Sequence, residues 1–184
     1  VQLWDEFSGT LTAVDQAQIR PRVEGMIREV HFKDGAQVEK GDLLFTLDPE
    51  PYKAEVSRAT AALASARAQE TLARTEFERG ERMLKGSLIP QRDYDQRKSA
   101  QDVAAANVKN AEAALERATL NLDYTQITAP IAGRAGRAEV TAGNLVGAGV
   151  NAPVLTTVVA SAPIYADFEI DEATFLRYAK RLPD

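Results

Sequence analysis

Val23-Glu24-Gly25-Met26-Ile27, continued by Gly35-Ala36-Gln37-Val38 and Gly41, returns later in the chain as Ile131-Ala132-Gly133-Arg134-Ala135, Gly143-Asn144-Leu145-Val146 and Gly149. In both copies the glycines are spaced ten and then six residues apart, with Val or Ile two residues before the first and Val three after the second. An apolar strand closes each copy, Leu43-Leu44-Phe45-Thr46-Leu47 in one and, after a three-residue insertion, Val154-Leu155-Thr156-Thr157-Val158 in the other. Turn signals at Glu24-Gly25, Asp34-Gly35 and Lys40-Gly41 leave room only for short strands. Residues 16–50 and 124–160 therefore read as two halves of one pseudo-symmetric β domain. Neither half is large enough to bury a core alone, so the segment between them must bring the chain back to where it left.

That segment has a different texture. Residues 51–123 hold 16 Ala, and Pro90 is the only interior proline, a composition that favours helix. Asp48-Pro49-Glu50 reads as a helix start, with Asp48 as the capping acceptor and proline at the first helical position. Apolar or small residues recur at Tyr52, Val56, Ala59, Leu63, Ala66, Ala73 and Phe77, with Glu70 interrupting. They resume at Tyr94, Ala104, Val108, Ala111, Leu115, Ala118 and Leu122, with Arg97 and Gln101 in register. Steps of three and four mark an a/d seam on each of two helices. The break at Lys85-Gly86-Ser87-Leu88-Ile89-Pro90 places a left-handed cap at Gly86 and a new start at Pro90. So short a turn makes the helices antiparallel, each arm about 50 Å long at 1.5 Å per residue. The remainder of the chain is too small to cover such arms, so most of the hairpin must project into solvent. Its carboxylates, among them Glu70, Glu76, Glu78 and Glu81, alternate with Arg67, Arg74, Arg79 and Arg82 as a solvated face, with pairs such as Glu78–Arg82 at i, i+4.

Outside the repeat, residues 1–15 read as a strand with Leu3, Phe7 and Leu11 and a turn at Ser8-Gly9. Ile164-Tyr165-Ala166-Asp167-Phe168-Glu169-Ile170 alternates as a second strand, and Asp171 can cap a short helix carrying Phe175, Leu176 and Tyr178. The strands over 2–9 and 164–170 are expected to be neighbours in a further β domain that is incomplete in this chain.

The composition narrows the function. Of 184 residues, 22 are Lys or Arg and 27 Asp or Glu, a formal charge of −5, which gives no global reason to bind nucleic acid. Cysteine is absent, excluding disulfides, thiolate metal sites and Cys nucleophiles. One His and two Met speak against a His- or thioether-ligated metal. His31 reads as a sheet residue between Val30 and Phe32, with no nucleophile to serve, and Gly25, Gly35 and Gly41 as turn glycines with no helix close enough to make a phosphate loop. No catalytic, cofactor or metal residues are assigned. No run approaches the ~18 apolar residues of a membrane span. Val at position 1 instead of Met raises the expectation of a removed leader, tag or anchor.

The first half, Arg20-Pro21-Arg22-Val23-Glu24-Gly25-Met26-Ile27 through Gly35-Ala36-Gln37-Val38 to Phe45-Thr46-Leu47-Asp48-Pro49, resembles part of a split biotinyl/lipoyl domain. Tyr124-Thr125-Gln126-Ile127-Thr128-Ala129-Pro130-Ile131-Ala132-Gly133-Arg134 resembles its partner. With the inserted hairpin and Pro163-Ile164-Tyr165-Ala166-Asp167-Phe168, the whole chain is similar to the periplasmic adaptor subunits, or membrane fusion proteins, of tripartite efflux pumps working with resistance-nodulation-division (RND) transporters. The resemblance implies an elongated α+β chain. Residues 1–15 and 161–184 form part of a β-barrel domain, 16–50 and 124–160 the lipoyl-like domain, and 51–123 a coiled-coil hairpin with its tip near 85–90. It also implies a non-enzymatic adaptor without cofactors, located in the periplasm and associated with the inner membrane through an anchor upstream of Val1. Its partners would be a proton-driven RND transporter, a TolC-like outer-membrane channel and further copies of itself, as a hexamer.

Adaptors of this family carry an Arg, Leu, Ser pattern near the tip, spaced four and then seven. The matching positions here are Arg79, Met83 and Pro90. Met preserves the volume of Leu, whereas Pro90 departs from the pattern, lacking both the serine hydroxyl and an N–H. Leu84, Leu88 and Ile89 complete the expected channel-binding tip, with Leu88 and Ile89 as an adhesive apolar pair. Two other readings compete. An adaptor of an ABC-type exporter or type I secretion system shares these modules. An acyl or biotin carrier needs a Lys on the hairpin joining its halves, but helix fills that junction here and Lys53 lies inside it.

Overall fold

The computed structural model describes residues 8–149 and 151–168. The two copies of the repeat supply four strands each. They are β2 (Gln16–Ile19), β3 (Gly25–Val30), β4 (Gln37–Val38) and β5 (Leu43–Leu47), then β6 (Gln126–Thr128), β7 (Gly133–Ala135), β8 (Leu145–Val146) and β9 (Thr156–Val159). They assemble into two antiparallel sheets ordered β2-β9-β7-β4 and β6-β5-β3-β8. Exchanging every strand for its counterpart in the other copy turns one order into the other. Each sheet thus contains strands of both halves, and neither half can form a sheet face without its partner.

The exchange extends to single hydrogen bonds. The Gly35 amide donates to Ala135 O at 3.0 Å and Ala135 to Ala36 O at 2.9 Å, while Gly143 donates to Ile27 O and Ile27 to Asn144 O, both at 2.8 Å. Gly35 and Gly143 take φ of +75° and +89°, and Gly41 and Gly149 +98° and +95°. A side chain at these turns would be strained, which is why glycine recurs at this spacing.

Counterpart residues also fill the core: Ile19 with Ile127, Val38 with Val146, Leu44 with Leu155 and Leu47 with Val158, all buried. Each fully buried aliphatic side chain of this size contributes about 1.5–3 kcal/mol. Elsewhere the symmetry is broken in volume. Ile27 and Phe45 stand where the other copy has Ala135 and Thr156, and Phe32 packs edge-on against Phe45 at 5.3 Å. Thr156 is fully buried, and among the described residues its hydroxyl has no hydrogen-bond partner.

Between the halves run α1 (Glu50–Lys85) and α2 (Gln91–Asp123), 36 and 33 residues, or about 54 and 50 Å. Every predicted seam position is buried or half-buried, with Ala59 and Leu63 of α1 and Ala104, Val108 and Ala118 of α2 most enclosed. Gly80 is a further buried seam residue of α1. The start of α1 differs from expectation by one residue. Pro49 is the N-cap, and Asp48 Oδ1 accepts from the Glu50 amide at 3.3 Å. Glu78 pairs with Arg74 at 3.0 Å instead of with Arg82, because a carboxylate can reach an arginine one turn to either side. Among the described residues no helix is long and apolar enough to cross a membrane.

β1 (Gly9–Ala13) and β10 (Ile164–Phe168) pair antiparallel, Gly9 opposite Phe168 and Ala13 opposite Ile164; the strand beside β10 runs over 9–13, not over 2–9 as expected, and residues 2–7 lie outside the described residues. The turn expected at Ser8-Gly9 is not present. Gly9 lies in β1, where a Cβ would come within 2.6 Å of the Phe168 ring, and long-range pairing overrides the local turn signal. The expected residues Leu3, Phe7, Ile170, Asp171, Phe175, Leu176 and Tyr178 lie outside the described residues. His31 falls one residue beyond β3, its amide donating to Leu44 O and its Nε2 lying 2.7 Å from Thr46 Oγ1, a sheet-edge role.

Candidate functional site: the hairpin tip and its root

The tip is built where the seam runs out. Phe77 of α1 lies against Tyr94 of α2, ring centroids 5.5 Å apart, and beyond them α1 closes in a Schellman motif. Leu88 N–H bonds back to Met83 O at 2.8 Å and Ser87 N–H to Leu84 O at 2.9 Å, capping carbonyls that otherwise face solvent unpaired. This cap corrects the sequence expectation. Gly86 has φ −83° and Ser87 holds the left-handed position at φ 56°, because the bond from Leu88 to Met83 sets the reversal one residue later. Pro90 is the N-cap of α2, its carbonyl accepting from Asp93 N–H at 3.1 Å.

The predicted tip residues form one end of the rod but differ in exposure. Leu88 is 72% exposed, whereas Met83, Leu84 and Ile89 are half-buried and Pro90 is exposed. Leu84 continues the α1 seam. Arg79 lies one turn below Met83, its side chain 58% exposed and its Nη1 3.1 Å from Glu76 Oε1. The tip therefore presents an apolar end, with a cation one turn below Met83.

Sequence reading missed the group that holds the carboxylate facing this cation. Arg97 of α2 crosses the seam and donates from Nη1 to Glu76 Oε2 at 2.7 Å and to the Glu76 carbonyl at 3.3 Å. Its stem lies over Gly80, where an added Cβ would sit 2.6 Å from Arg97 Cδ. The signal was a glycine in seam phase three residues after Phe77, opposite an arginine in seam phase.

The root is tied to the β body on both arms. Tyr52 Oη donates to Glu24 O at 2.6 Å, and Arg22 lies over the Tyr124 ring at 5.1 Å. Burial, then the Glu24 carboxylate, pushes the Tyr52 phenol above its ordinary pKa. On the exposed flank of α1, the hydrogen bond from Arg58 holds the Glu55 carboxyl below its ordinary value. Among the described residues no group of three His, Cys, Asp or Glu is placed to hold a metal.

The hairpin is thus tied at its root to a two-copy β body and ends in a capped, partly apolar tip. The family model for the barrel-sandwich hybrid domain of RND membrane fusion proteins matches residues 15–158. The chain belongs to the RND membrane fusion protein family. The matched span runs from the edge of β2 through the hairpin into β9. Among relatives, the multidrug resistance protein MdtE of Escherichia coli K12 is 39% identical over 177 residues, covering 96% of this chain and 46% of that protein. The multidrug efflux pump subunit AcrA of the same organism is 37% identical over 182 residues, covering 99% and 46%. The chain thus spans about half the length of the curated relatives it matches. The crystal structure of MacA from Actinobacillus actinomycetemcomitans superposes with a TM-score of 0.77 at 27% identity, over 91% of this chain and 56% of that one. A MacA–MexA chimera containing the Pseudomonas aeruginosa MexA α-hairpin gives 0.66 at 28% identity, over 91% and 55%.

Proposed function

We propose that the chain is the adaptor part of a tripartite efflux pump, joining a proton-driven inner-membrane transporter to a TolC-like outer-membrane channel across the periplasm, for export of drugs or other small molecules. The observation that carries this reading is the capped hairpin end, with Leu88 exposed and Arg79 one turn below Met83, in a chain of the membrane fusion family. Relatives described as multidrug efflux and multidrug resistance proteins support the cargo class. Such a role needs stiffness and complementary surfaces instead of chemistry, so the chain acts without catalysis or cofactor.

In this reading Arg79, Met83, Leu84, Leu88, Ile89 and Pro90 meet the channel, and residues 16–50 with 124–160 pack beside further copies in a hexamer. Residues 1–15 and 161–184 belong to a β-barrel completed elsewhere in the protein. The ribbon of β1 and β10 supports this last point, because it exposes Leu11, Ile164, Tyr165 and Phe168, an apolar surface too large for a free two-stranded ribbon. An anchor upstream would hold the assembly at the inner membrane.

The test is pull-down from membranes, with partners identified by mass spectrometry. The reading expects a proton-driven transporter and an outer-membrane channel together, with the channel lost in the double variant Leu88→Asp/Ile89→Asp at unchanged melting temperature. Recovery of an ATPase as the transporter would redirect the assignment to an ABC-type system. Retention of the channel by the double variant would refute the tip.

A further inference from the structure

Resting on the reading that the tip docks the channel, we propose that Glu76 and Arg97 form a holding pair. It positions Arg79 for a carboxylate on the partner and neutralises Glu76 once Arg79 has moved across. The Glu76 carboxylate is divided between two cations, Oε2 to Arg97 at 2.7 Å and Oε1 to Arg79 at 3.1 Å. Arg58, Arg67 and Arg74 have Glu55, Glu112 and Glu78 as their partners, whereas Arg79 shares its acceptor. The cluster of two guanidiniums and one carboxylate carries a net charge of +1, which an acidic group on the partner can complete.

The two arginines are not equivalent. Arg97 stands in the seam, its side chain 33% exposed, anchored both to the Glu76 carboxylate and to the Glu76 carbonyl. It also occupies the space left by Gly80, and a mid-helix glycine costs about 0.5–1 kcal/mol that an alanine would not. Arg79 faces solvent, and among the described residues its one polar contact is Glu76. Arg97 is therefore the fixed member and Arg79 the transferable one. When the Arg79 guanidinium turns to a carboxylate on the channel, Glu76 keeps its charge-assisted bond to Arg97, so the exchange leaves no bare carboxylate at the interface. Glu76 and Arg97 are positioning residues that need not touch the partner.

The test uses the full chain and a purified TolC-type channel in nanodiscs, measuring affinity, melting temperature and the order of the arginine Nε–H groups by 15N NMR. For Glu76→Gln we expect three- to tenfold weaker docking, a mobile Arg79 Nε–H, and a melting temperature within about 2 °C of the parent, since the pairs are partly exposed. The charge swap Glu76→Arg/Arg97→Glu restores an interhelical ion pair but not the acceptor of Arg79, so it is expected to melt like the parent and still dock weakly. Parental docking by Glu76→Gln, or recovery of docking in the swap, overturns the proposal. If Leu88→Asp/Ile89→Asp fails to dock while Glu76→Gln docks normally, the holding pair is wrong and the tip assignment stands. If both dock normally, both fall.

Discussion

Gly133 and Gly25 occupy the same place in the two copies, yet the structure makes them very unequal. A Cβ added at Gly133 would lie 2.2 Å from Val159 O and 2.7 Å from Val159 C, backbone atoms of the paired strand β9. At Gly25 the nearest atom would be Leu47 Cβ at 3.5 Å, an ordinary contact. Overpacking a core costs about 1–3 kcal/mol, and occasionally more, when the neighbours can shift. Here the neighbour is strand backbone, hydrogen-bonded on both sides, so Gly133→Ala should cost about 3 kcal/mol or more. Gly25→Ala should stay within about 0.5 kcal/mol. For a chain of this size each kcal/mol is about 2–4 °C, so Gly133→Ala should melt about 6–12 °C low and Gly25→Ala within about 2 °C of the parent. Thermal and urea denaturation of the β body, followed by near-ultraviolet circular dichroism, decide it. Equal effects, or a harmless Gly133→Ala, would refute the close approach of β7 and β9 on which the interleaving of the halves depends.

Three further outcomes follow from local geometry. Thr156→Val removes a buried hydroxyl with no partner among the described residues while keeping the side chain's shape, and should raise stability by about 1 kcal/mol; a loss would mean that the hydroxyl is satisfied. Ser87→Gly relieves the left-handed position and should stabilise the hairpin by up to about 1 kcal/mol, whereas Ser87→Val should destabilise it by at least as much, both read from melts at 222 nm. The raised Tyr52 pKa fixes a sign in alkali. Its contribution is intact below the unfolded phenol's value of about 10 and is lost as pH rises through the folded one, because the unfolded chain ionises first and the native state then holds more protons. Tyr52→Phe should flatten that alkaline decline and, by losing the bond to Glu24 O, lower stability by about 1 kcal/mol at neutral pH; an unchanged alkaline slope would contradict it.

The fold was legible wherever one residue type had a single physical use. Glycine at 35, 41, 143 and 149 was needed for positive φ, so its spacing marked the repeat and predicted two halves of one β domain. Steps of three and four exposed the seam down to Arg97 and Gln101, which are half-buried where an apolar residue would stand. Legibility failed where a local signal met a distant contact. Gly9 looks like a turn residue until Phe168, far along the chain, lies across it. At the tip, glycine is the usual left-handed cap, but a hydrogen bond from Leu88 to Met83 assigns that role to Ser87. The candidate site shows the same division. Arg79 and Met83 entered the candidate tip through the family resemblance and Leu88 as an apolar residue at the turn, while the Glu76–Arg97 bond joins two helices and depends on their register.

The central claim of the proposed function is that the hairpin end meets the channel, while the β1–β10 ribbon is covered by the rest of the protein's own barrel. Site-specific photocross-linking in cells tests it most directly, with the cross-linker placed in turn at Leu88 on the tip and at Leu11 on the ribbon, both well exposed. The account predicts an adduct with the outer-membrane channel from position 88 and a cross-link within the protein's own barrel from position 11. An adduct with the channel from position 11, or none with it from position 88, would contradict it.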